Sequence, residues 1–247
     1  EPVVVLEESA DHPEWVRIAA PRQPSDKDDR GYPGWVLRAH LGAPPAVSTH
    51  EAVIAVETAA LRVGPDGQRV VTDVTYGTVL PILDDLGPES ALRVGLPDGH
   101  SAWLDRSACV VRPAFGDGPG KLVADGPALV SAARRFVGLE YLWAGMSAYG
   151  LDCSGLVHLT FRALGLVVPR DAHDQATAGK RLPRSEARAG DLLFFARPGK
   201  GIHHVGFALD DPARVLHAPG TGSTVVDEPM NDDRRGTLLD YVVRFAS

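Results

Sequence analysis

Cysteine and clustered positive charge are both scarce in this chain, and each shortage removes a class of protein. Two cysteines, Cys109 and Cys153, cannot build the disulfide framework of a small secreted scaffold, and neither belongs to the Cys-x-x-Cys spacing of a structural zinc site. One bridge between them is arithmetically allowed, but the surroundings of Cys153 call for a free thiol. No apolar run approaches the roughly 18 residues that a membrane-spanning helix needs, so no membrane span is expected. The formal net charge is −7, and residues 1–120 carry 10 Lys/Arg against 18 Asp/Glu. Neither half has the basic stripe that grips a phosphate backbone, so nucleic acid is not an expected partner. The chain opens Glu1-Pro2 rather than on methionine. That leaves a removed leader and a shortened chain as equal readings, and the compartment, cytoplasmic or exported, stays open.

What is present is a 247-residue chain, 44% hydrophobic and 23% charged, enough for one to three compact domains. Two Pro/Gly-rich stretches, 42–45 and 113–120, read as linkers. Before the second lie short β-like runs at 3–6, 15–19, 34–38, 53–56, 79–83, 92–95 and 101–104. Turn residues separate them, a spacing that predicts small β-barrels rather than helical domains. Gly34-Trp35-Val36 ends the first segment and Ser101-Ala102-Trp103-Leu104 stands in the corresponding place of the second. Two barrels are therefore expected, at 1–45 and 46–112. The acidic excess of this half suits a substrate that carries a free amine.

After the second linker the pattern changes to helices. Asp125 is placed to cap a helix with Pro127 in its first turn, and Leu129, Val130, Ala133, Phe136 and Val137 form the stripe up to Gly138. A second helix is expected to start at Cys153, with Leu156, Val157, Thr160, Phe161 and Leu164 at three- and four-residue steps and Gly165 as its stop. Strand-like runs follow at 191–196, 204–209, 215–218 and 223–226. Helices first and an antiparallel sheet afterwards make an α+β domain over 121–247.

The chemistry gathers in Leu151-Asp152-Cys153-Ser154-Gly155-Leu156-Val157, at a loop-to-helix junction. A thiol there meets unpaired backbone N–H groups and the positive end of the helix dipole, which favour the reactive thiolate and can hold an oxyanion. The plain alternative is an inert cysteine packed like alanine. Histidines on the later strands argue against it. His204 opens one strand and His217 lies on the next, each after a turn, so both can reach one end of the sheet as base and orienting group. Strand alternation turns His203 to the other face. By residue type, Cys153, His204 and His217 could also bind zinc.

The run Tyr141-Leu142-Trp143-Ala144-Gly145, Asp152-Cys153-Ser154-Gly155, Pro169-Arg170, Gln175, Gly190-Asp191-Leu192, Phe194-Phe195, His204-Val205-Gly206 and His217-Ala218 resembles the NlpC family of papain-like cysteine peptidases, over nearly all of 121–247. In the N-terminal half, Arg30-Gly31-Tyr32-Pro33-Gly34-Trp35-Val36 and Tyr76-Gly77-Thr78-Val79-Leu80-Pro81 are similar to the paired bacterial SH3-like modules of the subgroup that trims free murein peptides. The resemblance implies a papain-like α+β catalytic domain preceded by two SH3-like barrels. It further implies cleavage of the γ-D-glutamyl–diamino acid bond in peptides with a free N-terminal L-alanine, without a cofactor. Carried over, Cys153 is the nucleophile, His204 the base and His217 the orienting third member. Tyr141, Trp143 and Ser154 line the substrate site. Asp152, Tyr76 and Asp29 hold the substrate ammonium, and Arg170 pairs with a substrate carboxylate or with Asp171.

Two departures bear on specificity. Ala144 stands where the family keeps a second glycine, and Ala172 where many relatives keep a hydroxyl residue. Meso-diaminopimelate and lysine are both open as the diamino acid, as is the oligomeric state. Three other functions stay in view: an endopeptidase acting on intact wall, an amidase or acyltransferase on the same scaffold, and a catalytically silent murein-binding protein.

Overall fold

A computed structural model of the chain describes residues 1–42, 47–87, 91–114, 125–230 and 236–245. Most of both predicted linkers, 43–45 and 115–120, lies outside the described residues. The chain divides into two compact units, Glu1–Gly118 and Pro119–Ser247.

In the first unit, β1 (Val4–Glu8), β2 (Trp15–Ala20) and β3 (Tyr32–Leu37) pair antiparallel in that order. Side chains two residues apart share a face of a strand, and Val16, Ile18 and Ala20 form the small core against Val3, Val36 and Leu41. Seven more strands follow: β4 (His50–Ile54), β5 (Thr58–Arg62), β6 (Val70–Thr75), β7 (Val79–Asp85), β8 (Leu92–Gly95), β9 (Ser101–Leu104) and β10 (Cys109–Pro113). They form one sheet in the order β10-β4-β7-β8-β9-β5-β6, with Ile54, Leu61, Leu92 and Leu104 fully buried in its core.

Neither sheet closes into a barrel, and the expectation of two SH3-like barrels is corrected on that point. The first sheet has three strands, and the second ends in two edges, β6 and β10, that are not paired with each other. Both edges carry residues that discourage further pairing, Asp73 within β6 and Pro113 at the end of β10. Short, evenly spaced strands are common to open and closed sheets; closure depends on two distant edges meeting, which spacing does not report.

The second unit is mixed α+β, with helices against a large antiparallel sheet. Helix α1 (Gly126–Arg134) starts where expected: the Asp125 carboxylate accepts from the Ala128 amide at 2.9 Å, and Pro127 sits in the first turn. A short hairpin, β11 (Met146–Ser147) and β12 (Gly150–Leu151), leads into α2 (Cys153–Ala163). Helix α3 (Ala172–Ala178) was not expected; its seven residues are too few to show a helical period. The sheet comprises β13 (Lys180–Pro183), β14 (Leu192–Arg197), β15 (Gly201–Ala208), β16 (Arg214–His217), β17 (Val226–Pro229) and β18 (Thr237–Arg244), in the order β13-β18-β14-β15-β16-β17. The run expected at 223–226 forms its strand three residues later, at β17.

Helix α2 lies on β15, where the Phe161 and Phe207 rings stack with centroids 6.1 Å apart. Every residue from Cys153 to Phe161 is buried, so α2 is a central helix rather than a one-sided surface helix. Among the described residues no helix is long and apolar enough to cross a membrane.

One buried group on α2 makes stability depend on pH. His158 is fully buried and its Nδ1 lies 2.7 Å from the Val168 carbonyl oxygen, which accepts its proton. Burial, reinforced by the charge of Arg162, pushes the imidazole pKa from 6.5 down to about 3. The folded protein thus keeps a neutral ring that the unfolded chain protonates below pH 6.5. The contribution is whole above pH 6.5 and is lost as pH falls toward 3, by up to about 1.4 kcal/mol per pH unit. Urea unfolding between pH 7 and 4.5 is expected to show this slope. In His158→Asn, which keeps a donor for Val168 but does not titrate, the slope should flatten although overall stability is lower.

Candidate active site

The site is built around the start of α2. Asp152 caps that helix, its Oδ1 accepting from the Gly155 amide at 2.6 Å. Its Oδ2 accepts from the Ala144 amide at 2.9 Å, tying the 142–145 loop to the helix. Arg170 then clamps the carboxylate from the other side, Nη1 to Oδ1 at 3.0 Å and Nη2 to Oδ2 at 2.8 Å. The same guanidinium donates to Ser154 Oγ at 2.8 Å and to the Gly145 carbonyl at 3.4 Å. Gln175 adds donors to the Ser154 and Pro169 carbonyls at 3.1 and 2.8 Å. Side-chain exposure is only 8% for Arg170 and 11% for Asp152, so this is a buried, two-pronged ion pair with its remaining valences filled. Gly155 is required by the packing: a Cβ there would fall 2.2 Å from the Gly145 carbonyl oxygen.

The loop carries two of the expected substrate contacts. Tyr141 forms a parallel bridge with Leu151, and burial, with Cys153 and Asp152 close by, pushes its phenol up to about 12. It therefore stays a neutral hydrogen-bond donor near Cys153. Trp143 is 80% exposed at the loop tip. Ala144 has φ 61, the left-handed region, and is alone among described non-glycine residues in this. That conformation aims the Ala144 amide at Asp152, at a cost of about 1–2 kcal/mol that a glycine would not incur.

Cys153 is buried in the first turn of α2, close enough to the backbone amides of Val205 and Ser154 that both favour its thiolate. Val205 follows His204 inside β15, which begins at Gly201 and not at His204 as expected, so the thiol lies near the middle of that strand. Burial is the largest influence on this thiol and pushes its pKa up to about 11, with Asp152 adding to it; the two amides and Arg170 pull the other way. The helix terminus was expected to favour the thiolate. In the folded protein desolvation outweighs it, and ionisation calls for a base.

The histidines supply one. His204 on β15 and His217 at the end of β16 are both buried, with His204 Nε2 and His217 Nδ1 2.6 Å apart. Gly206 makes room for this: a Cβ there would come within 2.9 Å of the His217 Cβ. Beyond His217 stands Glu228, its Oε1 3.1 Å from His217 Nε2. Sequence reasoning missed Glu228. Only strand register identifies it, since Val226 pairs with His217 and Glu228 is two residues further along β17, on the same face.

The structure thus gathers Tyr141, Asp152, Cys153, Ser154 and Arg170 at the helix start, and joins His204 to His217 on adjacent strands. Tyr76 and Asp29 belong to the first unit, Tyr76 buried and Asp29 exposed in the turn before β3.

Comparison with known proteins agrees with this geometry. The sequence pattern of the NlpC/P60 family matches residues 138–240. The gamma-D-glutamyl-L-lysine dipeptidyl-peptidase of Bacillus subtilis is 36% identical over 219 residues, covering 88% of this chain and 70% of the relative. A protein of the same name from Bacillus cereus is 33% identical over 235 residues, covering 93% and 68%. The crystal structure of a NlpC/P60 family protein from Bacillus cereus superimposes with a TM-score of 0.84 at 27% identity, covering 99% of this chain and 79% of that one.

The ion pair makes a direct prediction. Arg170→Met leaves the Asp152 carboxylate buried without its partner and is expected to cost about 3–5 kcal/mol in urea unfolding. Asp152→Asn combined with Arg170→Met should recover part of that loss, because no buried charge is then left unpaired. A strictly additive double variant would show that the two side chains are not coupled.

Proposed function

This chain belongs to the NlpC/P60 family, and on that premise we propose that it is a cysteine peptidase hydrolysing the γ-D-glutamyl–diamino acid bond of peptidoglycan-derived peptides. The observation that carries the reading is the buried pair of His204, inside β15, and His217, at the end of β16, with Cys153 at a helix start near the residue after His204. The names of the two Bacillus relatives, matched over most of both chains, support the bond.

In this scheme His204 takes the Cys153 proton as the sulfur attacks the γ-glutamyl carbonyl, and amides at the start of α2 hold the oxyanion. The tetrahedral intermediate collapses as His204 hands the proton to the departing amine, leaving a thioester on Cys153. Water then loses a proton to His204 and attacks the thioester, releasing the γ-glutamyl product and restoring the thiol. The reaction as written needs no cofactor. His217 orients His204.

Tyr141, Trp143, Asp152, Ser154 and Arg170 make up the proposed substrate-facing set. Asp152 and Arg170 act as a fixed, neutralised pair that shapes the pocket. The amine contacts read for Tyr76 and Asp29 belong to the same proposal, as does the preference for a free N-terminal L-alanine.

Cys153→Ala is expected to abolish release of L-Ala-D-Glu from L-Ala-γ-D-Glu-diaminopimelate and from its lysine counterpart, as read by mass spectrometry, with circular dichroism unchanged. Undiminished hydrolysis would sink the cysteine mechanism. His204→Ala should lose at least as much kcat as His217→Ala, since only His204 moves the proton. N-acetylation of the substrate alanine is expected to slow cleavage by 10-fold or more, about 1.4 kcal/mol of lost recognition. Equal rates for acetylated and free peptide would make the chain an endopeptidase of intact wall stems.

A further inference from the structure

The two-histidine contact has no direction of its own. Each neutral imidazole carries one proton, so His204 Nε2 can donate to His217 Nδ1 or accept from it. Only the first arrangement leaves His204 with an unprotonated Nδ1, the ring nitrogen not engaged by His217. In the second arrangement that nitrogen bears the proton and cannot receive another from a thiol.

Glu228 breaks the tie. A carboxylate accepts and does not donate, so the 3.1 Å contact from Glu228 Oε1 to His217 Nε2 requires the proton of His217 to sit on Nε2. His217 Nδ1 is then a lone pair, and the 2.6 Å contact requires His204 Nε2 to be the donor. The position of Glu228 is set by the register of β17 on β16, which places it diagonal to His217. About a third of its side chain is open to water, enough to keep the carboxylate solvated while His217 is fully buried.

We propose that Glu228 is a positioning residue that fixes the tautomers of His217 and His204, so that His204 Nδ1 is the base for Cys153. The inference rests on the cysteine-peptidase reading given above. It extends the proton chain one strand further, to Glu228 through His217 Nε2, and from His217 Nδ1 to His204 Nε2. When Cys153 is deprotonated, His204 becomes a cation with protons on both nitrogens. The Glu228 charge stabilises that cation through His217 without taking a proton itself.

Glu228→Gln tests this, because glutamine matches the shape but can present its NH2 group to His217 Nε2 and so permit the opposite tautomer. Two readouts separate the outcomes. The rate at which iodoacetamide alkylates Cys153 at pH 7, followed by peptide mass spectrometry with Cys153→Ala as control, needs no substrate. A wrong choice of substrate would therefore leave it intact. Turnover of L-Ala-γ-D-Glu-diaminopimelate then gives kcat and KM. The expected result is alkylation and kcat both lowered about 10-fold or more, with KM within about twofold and the melting temperature unchanged. Nitrogen-15 histidine spectra of the unaltered protein supply a second measurement, valid even if the variant folds poorly. They should show both His204 and His217 protonated at Nε2 and bare at Nδ1. Alkylation in Glu228→Gln at the rate of the unaltered protein, or a proton on His204 Nδ1 in the resting protein, would overturn the assignment.

Discussion

The arrangement depends first on the buried pair between Asp152 and Arg170. One carboxylate caps the helix that presents Cys153, holds the 142–145 loop through Ala144 and receives both prongs of Arg170 from the loop before α3. Three segments distant in sequence are therefore fastened at a single anion. A buried pair of this kind is a weak source of net stability, because desolvating two charges cancels most of their attraction. Its value is geometric: with every valence committed, the loop and helix start have one arrangement rather than several.

That fixed frame sets the terms on which a thiol with a raised pKa would act as the proposed nucleophile. Burial pushes the Cys153 thiol up, and the charge of Arg170, which acts the other way, does not offset it. In the proposed scheme reactivity is conditional on the histidine chain, which rests on a different scaffold, the middle of β15 and the end of β16. In the proposed chemistry helix and sheet each contribute one half, and Val205, whose amide favours the Cys153 thiolate, is where the halves meet.

The parts legible in the sequence were those with local causes. Asp125 and Asp152 mark helix starts because a cap needs only the next three residues, and Gly165 stops α2 because a left-handed residue suits glycine. The contact between His204 and His217 was readable as two histidines, each following a turn. What stayed hidden depended on distant partners. The open edges at β6 and β10 could not be told from a closed barrel. Ala144 gave no sign of its left-handed backbone beyond standing in place of a glycine. Arg170 was read as a partner of a substrate carboxylate or of Asp171, whereas it donates to Asp152, Ser154 and Gly145. Glu228 was missed because its strand was expected three residues too early, and register alone brings it to His217.

The full burial of α2 from Cys153 to Phe161 has a kinetic meaning. A catalytic residue on a surface loop can drift out of place while its domain stays folded. Here Cys153, the proposed nucleophile, is mounted on the central helix, whose buried amides are expected to exchange with solvent only when the surrounding core opens. Displacing Cys153 therefore asks for an opening of the core around α2, not for the drift of a loop.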